Sequence, residues 1–211
     1  MYRFNQNMVC GLVFGVLFLC FISGSSGLNN PKSTVSSPKP SPIFWDRLLI
    51  SDIFGNDPLL TGLEVEYPIT WVITADTVTG KVIFSDQSNP PISLTFIPAQ
   101  KGKWMSAVEL AGAVITLLQQ TVPDLSFLNR KETTGHEIIL FHTSETATEC
   151  VGTSQGILTH YSILTTLYRS ESNRMSVGRI IICQAPVKTY SVIFQRYFDR
   201  MIQSSVGKRT E

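Results

Sequence analysis

The stretch that decides the fold is RIIICQAPVKTYSVIFQRYFDRMIQSS, residues 179–205. Its first half, Arg179 to Ala185, holds the unbroken apolar run Ile180 to Cys183. A strand hydrophobic on both faces belongs in the middle of a sheet covered on both sides. Its second half changes period. Tyr190, Ile193, Phe194, Tyr197, Phe198, Met201 and Ile202 recur at helical spacing, while Gln195, Arg196, Asp199, Arg200 and Gln203 occupy the other positions. That pattern is an amphipathic helix with one face to bury, and Gly207 is well placed to follow its end. A central strand running straight into a one-sided helix means a sheet with a helix packed on it.

Working backwards, Thr159 to Arg169 is long and β-branched, and Glu137 to Thr143 reads as another strand, with Ile138 and Leu140 on one face and Ile139 and Phe141 on the other. Before these, Ser106-Ala107-Val108-Glu109 is a capping box, in which the serine hydroxyl and the glutamate satisfy free backbone N–H groups. Leu110, Val114, Leu117 and Leu118 follow at helical spacing, and Pro123 bounds the helix. Upstream, Tyr67, Ile69, Trp71 and Ile73 alternate with polar or turn residues, Val82–Phe84 follows a turn at 78–81, and Ile92, Leu94 and Phe96 alternate with Ser93 and Thr95. Residues 44–60 are rich in Trp and Leu and carry no assignable period. The resulting order is β-β-β-α-β-β-β-α. Short turns make the strands mainly antiparallel, and the two helices must cover the sheet.

Before this domain, residues 1–27 read as a secretory signal. Arg3 precedes an apolar run from Met8 to Ile22, shorter than the roughly 20 residues needed to span a bilayer, and Ser25 and Gly27 supply a small-x-small cleavage pattern. The alternative is an uncleaved N-terminal membrane anchor. Phe18 and Leu19 are too bulky before Cys20 for lipid attachment, so Cys10 and Cys20 read as apolar filler. Residues 28–43 form a linker with Pro31, Pro38, Pro40 and Pro42 among serines and lysines. One domain, 44–211, follows.

The 211 residues carry 17 Lys+Arg against 16 Asp+Glu, and the expected signal removes one basic residue and no acidic one. A neutral chain lacks the basic excess of a nucleic-acid binder. The 43% hydrophobic content excludes a disordered chain, and four cysteines in this length exclude a small disulfide scaffold.

The order and several phrases resemble the Mog1/PsbP-like superfamily, which includes the PsbP extrinsic protein of photosystem II and the bacterial envelope lipoprotein DcrB. The phrases are Tyr67-Pro68 followed by Trp71, the strand Ile92 to Pro98, the helix from Ser106, and Arg179–Pro186 leading into the aromatic helix that ends Met201-Ile202-Gln203-Ser204-Ser205. They span residues 64–206. The resemblance implies an α+β fold, an α/β/α sandwich around a mainly antiparallel sheet, and accessory or binding proteins rather than enzymes. The Sec-like signal, without a twin arginine or transit peptide, departs from plant PsbP and points to a bacterial envelope member. No ligand motif of the family carries over to residues of this chain.

Few residues suggest chemistry of their own. Gly152-Thr153-Ser154-Gln155-Gly156 matches G-x-S-x-G. A hydrolase elbow needs a strand-to-helix turn followed by an acid and a histidine. Here strand residues follow, and His160 is the only later histidine, so a glycine loop between strands explains the match better than a hydrolase at Ser154. His136 and His142, on one expected strand, would stand roughly 20 Å apart and could not share a metal. His160 could approach one of them across a hairpin. Cys150 and Cys183 survive signal removal and are the candidates for a disulfide in an exported protein, the alternative being two buried thiols. Trp71 reads as core. Trp104, between Gly102-Lys103 and the helix cap, is expected at the surface as a contact residue.

The expectation is therefore an exported, periplasmic or extracellular, non-enzymatic binding protein with a protein partner in the cell envelope and no cofactor, metal or nucleic acid. The membrane enters only through an uncleaved signal. A periplasmic small-ligand carrier is the alternative from a different class.

Overall fold

The computed structural model describes residues 42–55, 60, 63–89, 91–138, 141–170 and 176–205, without the side chains of 133–143, 169 and 170. The expected signal, most of the linker and Gly207 lie outside the described residues. The fold is α+β and dominated by a large antiparallel sheet.

The unassigned opening forms β1 (Trp45–Leu49) and a single helical turn, α1 (Ser51–Phe54). β1 pairs antiparallel with β2 (Glu64–Pro68) as a separate two-stranded sheet. The strand expected around Tyr67–Ile73 is in fact two. Pro68 has no N–H to continue a ladder, and its carbonyl accepts from the Trp71 N–H at 2.9 Å, closing a tight turn. The chain then enters the main sheet as β3 (Val72–Asp76).

That sheet has seven strands in the order β3-β4-β5-β9-β8-β7-β6, every neighbouring pair antiparallel. β4 is Lys81–Ser85, β5 Ser93–Gly102, β6 Ser126–Ile138, β7 Phe141–Ser154, β8 Ile157–Ser170 and β9 Ser176–Pro186. β9 is the middle strand, as its two-faced apolarity requires. The Glu137–Thr143 segment spans a hairpin reversal, with Glu137 opposite His142 and Ile138 opposite Phe141. His136 and His142 therefore lie on neighbouring strands rather than six residues apart along one. Their side chains are outside the described residues.

Period-two alternation gives the sheet two distinct faces. α2 (Ala107–Gln119) packs on one, against β7 and β8. Its buried Leu110 and Val114 meet Cys150, Tyr161, Ile163, Leu167 and Ile180. The capping box forms: the Ser106 hydroxyl accepts from Glu109 N–H at 3.2 Å, and the Glu109 carboxylate reaches back to the N–H of Met105 at 2.5 Å. Two further bonds pin the helix start to the sheet. Ala107 N–H donates to the Ser144 hydroxyl, and the buried Thr165 hydroxyl donates to Ala107 C=O. Gly178 lets the helix approach, because a Cβ there would lie 2.3 Å from Leu110 Cδ2.

On the opposite face lies the terminal helix, built from α3 (Tyr190–Ile193), a π-helical turn (Phe194–Phe198) and α4 (Asp199–Ser205). With the β1–β2 pair it encloses Val82, Phe84, Leu94, Phe96, Ile181, Cys183 and Ala185 under Phe198, Met201 and Ile202. Trp71 is in this core and packs its ring on Tyr197 and Phe198. The π turn inserts one residue into the helical repeat. Arg200 and Glu66 (2.7 Å), with Arg47 on the same carboxylate (3.1 Å), tie α4 to β2 and β1. The Glu66 N–H also donates to the Ser204 hydroxyl at 2.8 Å.

Candidate functional site

The terminal helix covers β4, β5 and β9, and its cover thins over β8 and β7. On the face opposite α2, Glu145, Ala147, Glu149 and Val151 of β7 and His160, Leu164 and Thr166 of β8 are all half-buried. Strand register fixes this set. Glu149 stands opposite Ser162, and Ser162 opposite Cys183; Val151 stands opposite His160, and His160 opposite Ala185.

The polar centre of this face is a cluster around Glu149. His160 Nε2 lies 2.5 Å from one carboxylate oxygen, and the Ser162 hydroxyl donates to the other at 2.8 Å. The Tyr190 ring, from the start of the terminal helix, stacks on the imidazole with centroids 3.9 Å apart. Burial pushes the Tyr190 phenol far above its ordinary range, with Cys183 and Glu149 nearby adding to the rise and Ser162 opposing it. Burial likewise raises the Cys183 thiol, with Glu149 contributing. The cluster thus holds Cys183 and Tyr190 as neutral groups behind a half-exposed Glu149–His160 pair. The carboxylate sits between serine and histidine, so the arrangement gives Ser162 no histidine base of the hydrolase kind. It is a fixed polar cluster on a mixed face, where Ala147, Val151 and the 53% exposed Leu158 lie with Glu145 and Thr166.

The residues singled out in the sequence fall elsewhere. Ser154 ends β7 at a hairpin tip, where Gln155 and Gly156 both have positive φ (51° and 79°). This is the tight two-residue reversal of a hairpin, not a strand-to-helix elbow. His160 pairs with Val151 and approaches neither of the other histidine positions. Among the described residues no group of three or more His, Cys, Asp or Glu could hold a metal ion.

The disulfide expectation is corrected. Cys150 and Cys183 are both free and buried. Cys150 points into the core under α2 and Cys183 into the core under the terminal helix, so the sheet itself lies between the thiols. Trp104, expected at the surface, is less exposed than that. Trp104 is half-buried against the α2-side core, its ring so close to Gly102 that a Cβ there would come within 2.3 Å of it.

Glu149, Ser162 and Tyr190 were not singled out from the sequence. Alternation along β8 puts His160 and Ser162 on one face, but only the β7–β8 register brings Glu149 between them. A second surface feature is a solvent-open groove of about 520 Å³ between β2 and the terminal helix, lined by Glu64, Glu66, Gln195, Asp199, Arg200 and Gln203. Among the described residues no helix is long and apolar enough to cross a membrane. No protein-family model and no curated protein matches this chain.

Proposed function

We propose that the chain is an exported, non-enzymatic accessory protein of the Mog1/PsbP-like superfamily, with an α/β/α sandwich. It acts by docking an envelope protein onto the β7–β8 sheet face opposite α2. The observation that carries this reading is the incomplete cover of that face. Ala147, Val151 and Leu158 share this face with the fixed Glu149–His160–Ser162 cluster, so apolar contact area and placed polar groups lie side by side. Interfaces are built this way, with apolar contact area for affinity and a few placed polar groups for register.

The test is site-directed crosslinking of the full chain in its native envelope. A photoreactive residue at Ala147 or Leu158 should yield a discrete adduct, and Leu158→Arg should abolish capture of that partner. Leu117→Arg, on the exposed side of α2, should leave capture intact. Equal loss with both variants, or no adduct from either position, overturns the docking face.

The small-ligand carrier is the second reading, and the groove beside β2 is what favours it. Its lining is polar and carries the ion pairs that tie α4 to β2. Native mass spectrometry that finds a stoichiometric small molecule, released by Gln203→Trp, would favour the carrier over docking.

A further inference from the structure

We propose that Arg179 anchors a carboxylate-binding site on the sheet face opposite α2. Arg179 sits in the middle strand and is only 8% exposed. Its Nε–H is buried with no hydrogen-bond partner among the described residues, and it forms no ion pair among them. The contrast with the other arginines is sharp. Arg47, Arg130 and Arg200 are more exposed, and each uses its Nε on an acceptor, at 3.1, 3.1 and 2.7 Å. A buried guanidinium whose Nε–H is unused is costly, and a structural role would be served better by an apolar side chain of similar size.

The surroundings define the ligand. Register aligns Glu145, Thr166 and Arg179 in one row across β7, β8 and β9. Glu145 is thus two strands away, roughly 10 Å along the sheet, and its carboxyl is engaged by the Thr166 hydroxyl. Its charge acts on Arg179, but the two form no ion pair. Tyr168 supplies a ring 5.9 Å from the guanidinium carbon, one flat wall of the site. Lys101, exposed on β5 opposite Val177, adds a second positive charge on the same face, two residues along from Arg179. A planar guanidinium fork with a ring beside it suits a carboxylate. Glu145 penalises a dianion more than a monoanion, which selects carboxylate over phosphate. The carboxylate can come from a free organic acid or from an acidic peptide segment, so the inference does not require the docking reading.

The experiment follows the Arg179 Nε–H resonance of the full chain labelled with ¹⁵N-arginine. One arm titrates sodium acetate against sodium chloride at matched ionic strength. The other titrates an N-acetylated oligoglutamate peptide. A saturable shift of that resonance with acetate supports the site and assigns free acids. A saturable shift with the peptide alone supports it and assigns an acidic segment. Glu145→Gln should tighten the apparent Kd at least about threefold by removing the competing charge, and Arg179→Lys should weaken it at least about tenfold by removing the fork. The proposal is overturned if neither probe moves the resonance, if chloride moves it equally, or if Glu145→Gln weakens binding. The wild-type titration and Glu145→Gln decide the matter even if the Arg179 variant does not fold.

Discussion

Replacing Gly178 with alanine tests how α2 is held on the sheet. Gly178 lies in β9, where its conformation is open to any residue, so its importance rests on space alone. A Cβ at that position would stand 2.3 Å from Leu110 Cδ2, with Cδ1 and Cγ of the same leucine at 3.5 Å. Carbon atoms pack at about 3.5–4.0 Å, so the leucine end must move by more than an ångström. Leu110 is 1% exposed and packed among Ala107, Val114 and Ile180, so it has nowhere free to go. Overpacking of this kind costs about 1–3 kcal/mol, against a gain of about 0.4–1 kcal/mol from restricting the unfolded chain. The net loss should be about 1–2 kcal/mol, a fall in Tm of about 2–8 °C for a domain of this size. Gly112→Ala is the control. Nothing lies within 4 Å of its added Cβ, and the helix should gain about 1 kcal/mol. Urea unfolding at constant m-value reads both. In the Gly178→Ala background, Leu110→Ala should cost less than it does in the wild type, because the smaller side chain vacates the contested space. If Gly178→Ala is neutral or stabilising, or the double variant is simply additive, α2 does not seat on β9 through this contact.

Further expectations concern the helix cap, the thiols and one buried acid. Ser106→Ala should lose about 1 kcal/mol in urea unfolding, since it orphans the Glu109 N–H at the start of α2. Native protein should resist a thiol reagent at both Cys150 and Cys183. Denatured protein without reductant should react at both, and failure of the second result would restore the disulfide. Burial raises the Glu145 carboxyl above the ordinary glutamate value of 4.5, partly offset by Arg179 and Thr166. The folded state therefore holds that proton more tightly than the unfolded one. This stabilising contribution is full below pH 4.5 and is lost as pH rises through the raised value. The stability–pH curve of Glu145→Gln should lack that decline, and identical slopes in both proteins would refute it. Finally, Glu66→Gln should weaken the attachment of α4 to β2 by about 0.5–1 kcal/mol, because its arginine partners are largely solvent-exposed, and added salt should shrink the difference.

Local signals in the sequence were strong where one element carried its own pattern. The apolar run Ile180–Cys183 located the central strand, the heptad-like aromatics located the terminal helix, and Ser106 with Glu109 located the start of α2. These patterns depend on contacts within one element or on which of its faces is wet, and both are written in residue spacing. Reversals were less legible. Pro68 split one alternating run into strands of two different sheets, and the Ile138–Phe141 hairpin turned inside an apolar segment with no glycine or proline to mark it.

Register and facing belonged to the tertiary structure. The sequence allowed Cys150 and Cys183 to be neighbours, but strand parity put them on opposite faces of the sheet, where no bond can reach. The same parity brought Glu149, from one strand, between His160 and Ser162 of the next, and laid Tyr190 on the imidazole. It also left the Arg179 Nε–H buried near Tyr168 without an acceptor among the described residues. A strand's own alternation says which of its residues share a face. Only its pairing with neighbours says which other residues share that face with them, and a shift of one position would have exchanged every one of these partners.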